Sequence, residues 1–360
     1  MRAYEGSILS ELTGTFRFQE QRIPCRSIVF INSKMYWHCL TTEWSEDIRR
    51  DEDPDLTWLP KAKEYETVAW SLPDCSLWED ISQYSLRRLG HDSDTLNAFA
   101  GIFKHHGQIF DKTVFQGLCL NDFERSLLFT LDSAKHGDLT TLRRRQFPSY
   151  SWAGWRNMIL YDLSRRVFHE LDQRHTYISW YKISPDGCEE LLQTSRTGYD
   201  SNFVPYPRFQ SSLHMLVPAQ VGRTQQADAI FAARARGYPV LNFQALILKL
   251  SLDADGLIYE PWNDISVGVG YLPGDLRPVH NSEPFSWVIL ATSTSSDCAS
   301  LLANKLSGVA AEEAIKIGML LAMAIVLVDG AWEKAGIGLI LQRVLHTAGS
   351  GPAWGEIILA

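Results

Sequence analysis

Phe147-Pro148-Ser149-Tyr150-Ser151-Trp152-Ala153-Gly154-Trp155 is the stretch from which the fold is read. The proline fixes an extended entry, and aromatic and small residues then alternate. On a strand, Tyr150, Trp152 and Gly154 would face one way and Ser149, Ser151, Ala153 and Trp155 the other. The alternation predicts a strand. Its tyrosine and two tryptophans can bury ~150–250 Å² each, so the element could anchor a core by itself. These residues carry packing information and no chemistry.

Downstream of this stretch the pattern is one of strands. Residues 174–183 alternate weakly and end in the turn Pro185-Asp186-Gly187, and residues 240–252 alternate over a longer run. Residues 285–292 and 318–328 predict two more strands. The second ends at Asp329-Gly330, a hairpin turn signal, with residues 331–341 as the returning partner. A helical turn and a closing strand over 352–359 follow. Between the first two of these strands, the polar residues 191–236 read as a long loop or insertion. This half is expected to be an antiparallel sheet or sandwich with few helices.

Upstream the reading is mixed. Residues 118–131 lean helical through Phe123, Leu127, Leu128 and Leu131. Apolar spacing of three to four predicts helices over 76–88 (Trp78, Ile81, Tyr84, Ser85) and 94–103 (Leu96, Phe99, Ala100, Phe103). Asp92 or Ser93 is the expected cap of the second. Arg143-Arg144-Arg145 reads as a solvated loop. Residues 41–66, rich in Asp, Glu and Lys, read as a solvated connector. Residues 26–31 and 35–39, split by Asn32-Ser33-Lys34, predict a β-hairpin. The fold class is therefore α+β: a small α/β N-terminal part over 1–60, a mainly helical segment over 61–145, and an antiparallel β-rich region over 146–360.

Composition bounds the function. With 360 residues, 45% hydrophobic and 21% charged, the chain reads as a soluble globular protein large enough for two cores. A net charge of -8 with scattered Lys and Arg argues against nucleic acid as a partner. Cysteines 25, 39, 75, 119, 188 and 298 form no C-x-x-C pair, so reduced, mostly buried thiols are expected rather than zinc ligands or a disulfide framework. Residues 1–14 lack the apolar core of a secretory signal. The longest apolar run, 317–328, falls short of the ~20 residues a spanning helix needs. An intracellular, cytoplasmic protein with no membrane span is the expectation.

Motifs of catalysis are missing: there is no G-x-S-x-G elbow, no Walker A loop and no H-E-x-x-H helix. Gly268-Val269-Gly270-Tyr271-Leu272-Pro273-Gly274 has the wrong spacing for a dinucleotide loop and reads as a turn. His105-His106 lacks a partner at helical spacing and reads as surface, and His169 and His175 are no better placed. Trp152, Trp155, Trp180 and Trp262 read as core rather than as stacking platforms.

Several blocks resemble one family. Tyr84-Ser85-Leu86-Arg87-Arg88-Leu89 followed by Asp92-Ser93-Asp94-Thr95-Leu96-Asn97-Ala98-Phe99-Ala100-Gly101-Ile102 is similar to a Y-S-x-R-x-L…S-D-x-L-N-A-F-A-G-I segment. Residues 147–155 are similar to F-P-S-W-S-W-A-G-W. Phe16-Arg17-Phe18-Gln19-Glu20, with Arg26 beyond, is similar to W-T-x-Q-E followed by arginine, with Phe16 and Arg17 as departures. Residues 330–338 and 351–359 resemble a closing hairpin and last strand. Together these blocks resemble the C-terminal part of fungal heterokaryon incompatibility (HET) domain proteins.

The resemblance implies a part in fungal nonself recognition or programmed cell death, with protein partners. Residues 1–60 would be the tail of a HET domain whose earlier blocks lie upstream of Met1. The HET domain has been likened to the TIR fold, which implies one alternative, a nucleotide-cleaving enzyme acting on NAD; an inactive truncated remnant is the other. Glu20, beside Gln19, is the one candidate catalytic residue, as a general base or as a ligand of a ribose hydroxyl. The hairpin that follows would add mainly His38 and Cys39. The expectation is a non-enzymatic interaction or regulatory protein with no cofactor and no metal.

Overall fold

The structure is a computed structural model that describes residues 18–19, 23, 26–31, 34–39, 43–45, 77–87, 89–110, 113–132, 142–161, 178–194, 225–262, 265–273, 284–293, 295–306, 308–347 and 352–360. They fall into two compact units, one within Met1–Asp111 and the other within Lys112–Ala360. The fold is α+β, with mostly antiparallel sheet in the C-terminal unit.

In the N-terminal unit, β1 (Arg26–Ile31) and β2 (Lys34–Cys39) form the expected hairpin, in register from Arg26↔Cys39 to Ile31↔Lys34. A third strand, β3 (Glu43–Ser45), pairs with β2 inside the stretch read as a connector. The rest of 41–66 lies outside the described residues. Helix α1 (Leu77–Ser85) buries Leu77, Trp78, Asp80, Ile81 and Tyr84, the i, i+3, i+4, i+7 face of its sequence. The second helix starts later than its spacing suggested. Two 3-10 turns, Asp92–Asp94 and Asn97–Phe99, precede α2 (Ala100–Phe110). Neither Asp92 nor Ser93 caps it; the first turn begins after His91, without a side-chain cap. Instead Thr95 Oγ1 donates to Asp92 O at 2.7 Å and Tyr84 Oη to Thr95 O at 3.0 Å, so the tight turn is tied to α1.

The C-terminal unit opens with short elements: β4 (Val114–Phe115), β5 (Leu118–Cys119), α3 (Phe123–Leu127), β6 (Thr130–Leu131) and β7 (Ile159–Leu160). The helical reading of 118–131 holds over a 3-10 turn, Leu120–Asp122, and α3. Ser126 Oγ accepts from Cys119 N at 3.0 Å and donates to Asp122 O at 3.1 Å, a local alternative to continued helix. Residues 147–155 are not a strand. Arg143 and Trp155 make a single bridge, and Trp152–Gly154 is a 3-10 turn whose Ala153 N donates to Ser151 Oγ. The chain doubles back so tightly that a Cβ on Gly154 would lie 2.4 Å from Pro148 O. Alternating serines therefore act as turn acceptors here, not as one face of a sheet.

The large sheet contains β8 (Tyr181–Ile183), β9 (Glu189–Leu191), β10 (Val240–Leu252), β11 (Leu257–Tyr259), β12 (Ser266–Tyr271), β13 (Phe285–Ser293), β14 (Met319–Val328), β15 (Ala331–Leu341) and β16 (Ala353–Leu359). Helices α4 (Gln226–Arg236), α5 (Ser296–Lys305), α6 (Ala311–Ile317) and α7 (Val344–Thr347) complete the unit. Helix α4 corrects the loop reading of 191–236 at its C-terminal end; Gly237, at φ +75°, ends it in the left-handed conformation. Residues 195–224 lie outside the described set. Strand β12 likewise corrects the turn expected over Gly268–Gly274.

The strand path runs β9-β8-β10-β13-β14-β15-β12-β11, and β11 pairs back onto β10. Six strands, β10, β13, β14, β15, β12 and β11, thus form a closed ring rather than two stacked sheets. Trp287 on β13 fills its interior: a Cβ on Gly338 of β15 or Gly270 of β12 would lie 2.5 Å or 2.9 Å from the indole. Only glycine on these facing strands leaves the ring room. Leu248, Leu250, Leu252, Ile258, Ala322 and Ile340 pack with Trp287. The other face, including Phe243, Val288, Leu321 and Leu339, packs on α5 and α6 through Cys298, Leu302 and Ala314. Strand β16 lies along the other edge of β10, from Leu241↔Leu359 to Ile247↔Ala353. The apolar run 317–328 is thus mostly β14, and no helix among the described residues is long and apolar enough to cross a membrane.

Candidate functional site

The N-terminal unit brings two of the resembling blocks together. Phe18 is buried with its ring 5.7 Å from Tyr84 and stacked 6.2 Å from Phe99, while Tyr84 and Phe99 lie 4.9 Å apart. The Arg87 guanidinium lies over the Phe18 ring, 4.6 Å from its centre. Burial lowers the Arg87 pKa, with Tyr84 opposing, though a guanidinium keeps its proton. Gln19 Nε2 donates to Ala98 O at 2.5 Å, and a Cβ on Gly101 would meet Gln19 Oε1 at 2.5 Å. The glutamine of the Gln-Glu pair is therefore a packing and hydrogen-bonding residue between sequence-distant segments. Glu20 lies outside the described residues. His38 and Cys39 stand opposite Ser27 and Arg26 in the hairpin register.

A pair that the sequence reading missed joins α1 to α2. His106 Nε2 lies 2.8 Å from Asp80 Oδ2, and both side chains are almost fully enclosed. His106 is thus interior, a correction to the surface reading of His105-His106. The signal was available: Asp80 continues the Leu77, Ile81, Tyr84 face, and His106 continues Phe99, Ile102, Phe103 at i, i+3, i+4, i+7. A histidine shut away from solvent and bound to a carboxylate between helices is suited to clasping them, not to meeting a substrate.

In the C-terminal unit the 142–155 loop forms a knot of cations. Arg143 Nη1 donates to Gly154 O at 2.6 Å, and its guanidinium lies 4.8 Å over the Trp155 ring. Its Nε is 3.6 Å from Glu333, which also takes Arg236 Nη1 at 2.8 Å. Arg144 donates to Ala153 O at 3.3 Å and to Trp155 O. Arg143 and Arg144 are enclosed, which overturns the solvated reading of the three-arginine run, and only Arg145 is exposed. Burial lowers the Arg143 pKa against the pull of Glu333. Burial raises the phenols of Tyr150 and Tyr238, the second eased by Arg143. These guanidinium groups bind carbonyls of their own loop and Glu333, a structural use of arginine.

Ser149 is the centre of this knot. Its N and Oγ both donate to Ala360 O, the first at 3.0 Å, and its Oγ accepts from Lys334 N at 2.8 Å. Trp155 Nε1 donates to Ser149 O at 2.9 Å, and Trp152 Nε1 to Gly117 O at 2.8 Å. Trp152, Trp155 and Trp180 are buried as expected, whereas Trp262 is 62% exposed, a correction. Cys119 and Cys298 are buried thiols and Cys188 an exposed one. His169 and His175 lie outside the described residues, among which no group of three or more His, Cys, Asp or Glu could hold a metal ion. Comparison with protein-family models, curated proteins and solved structures finds no match.

Proposed function

We propose that the chain is a HET-type interaction or regulatory protein of fungal nonself recognition and programmed cell death, acting in the cytoplasm through protein partners. One observation supports this reading: the blocks that carry the resemblance meet in space. Phe18-Gln19 sits on the Tyr84–Phe99 segment. Ser149 ties its own block to Lys334 of the closing hairpin and to Ala360 after the last strand. Residues that hold one another in this way are spent on packing and hydrogen bonding between blocks.

The test is inducible expression of these 360 residues in a filamentous fungus, beside Glu20→Ala, with cell death and NAD content as readouts. The expected result is survival and unchanged NAD in both strains. Death or NAD loss that disappears in Glu20→Ala would establish the nucleotide-cleaving alternative instead.

A further inference from the structure

We propose that Lys334 is an acid-sensitive clamp in the C-terminal unit: its uncharged amine holds the Phe129 segment onto β15, and its protonation releases that segment. Lys334 is only 3% exposed. Its Nζ donates to Phe129 O at 2.8 Å and lies 3.0 Å from the centre of the Phe129 ring. No carboxylate pairs with it among the described residues. Lysine is almost never enclosed without an anionic partner, because one carbonyl and one ring face do not replace the hydration of an ammonium.

The charged and titratable groups on the surrounding elements are engaged elsewhere. Glu333, next on β15, binds Arg143 and Arg236. From the 142–155 loop, Arg143 and Arg144 bind loop carbonyls, and Tyr150 Oη donates to Pro239 O. Tyr161 stands edge-on to the Phe129 ring at 6.2 Å, its phenol raised by burial and acted on by Arg125 and Cys119. Glu124 accepts from Trp180 Nε1, and Glu356 from Asn242 and Gln225. Asp132 ends the segment half-buried.

Burial lowers the Lys334 pKa well below the lysine value. Above about pH 10.4 both folded and unfolded chains hold a neutral amine, and the stabilising contact is fully present. As pH falls, the unfolded chain takes up a proton first, so stability is lost progressively until the folded pKa is reached. Below that, the folded amine is itself charged and the Phe129 segment, with the β6–β7 ladder it leads into, loosens. This inference is independent of the HET reading.

The experiment is an NMR titration of the full chain labelled at lysine Cε, from about pH 11 to about pH 5, for wild type and Lys334→Met. One lysine resonance, absent from the variant, is expected to titrate below all others. Hydrogen-exchange protection at Thr130, Leu131, Ile159 and Leu160 should fall roughly tenfold or more with acid in wild type but not in the variant. If the variant fails to fold, the wild-type titration still decides. Lysines that all titrate together in the ordinary range, or protection that falls equally in both proteins, would overturn the proposal.

Discussion

Trp152 encloses its ring in the C-terminal unit and donates its indole N–H to Gly117 O at 2.8 Å. Trp152→Ala removes a large interior volume and leaves that carbonyl without its donor. We expect a loss of ~3–5 kcal/mol, read from the midpoint of chemical denaturation. An unchanged midpoint would mean the side chain packs against nothing. The burial of Tyr150, Trp152 and Trp155 was legible in their sizes alone. Their backbone was not, because the serines and indoles between them bond to Gln116, Gly117 and Ala360, which alternation cannot reveal. Arg143 and Arg144 misled for the same reason: their partners are carbonyls of a turn that exists only once the loop has folded.

At the level of elements, β10, β13, β14, β15 and β16 were legible because long alternating or apolar runs end at turn signals. Asp329 at φ +49° and Gly330 at φ +78° are the left-handed pair that a tight hairpin demands. The ring closure was not legible. It depends on Ser251↔Tyr259 and Leu252↔Ile258, a register with no sequence mark, and on glycines that look like turn formers but admit Trp287. Helices α5 and α6 also escaped the pattern reading. The ring makes a sharp demand at Gly338, where a methyl group would come within 2.5 Å of the Trp287 indole and cannot be absorbed by a flexible tip. Gly338→Ala should destabilise by ~1–3 kcal/mol through overpacking, measured by thermal or chemical unfolding. A neutral effect would mean that the indole does not cross the ring interior.

At the scale of the molecule, the Gln-Glu block, the Tyr84–Phe99 segment, the Phe147–Trp155 loop, the closing hairpin and the last strand were visible as resembling stretches. What the sequence could not display is that they pair off in space within their own units. Glu20, the one catalytic candidate, belongs to a block whose neighbouring residues Phe18 and Gln19 serve packing. In the C-terminal unit two such blocks and the residue that follows a third meet at one hydroxyl. Ser149 Oγ accepts from Lys334 N and donates to Ala360 O, with no exposure to solvent. The most direct measurement is therefore the denaturant midpoint of Ser149→Ala beside the exposed control Ser93→Ala. The predicted result is a loss of ~1–3 kcal/mol for Ser149→Ala, the cost of a buried N–H left without its acceptor, and a change within ~0.5 kcal/mol for the control. Equal midpoints for the two variants would contradict the view that these blocks exist to hold one another.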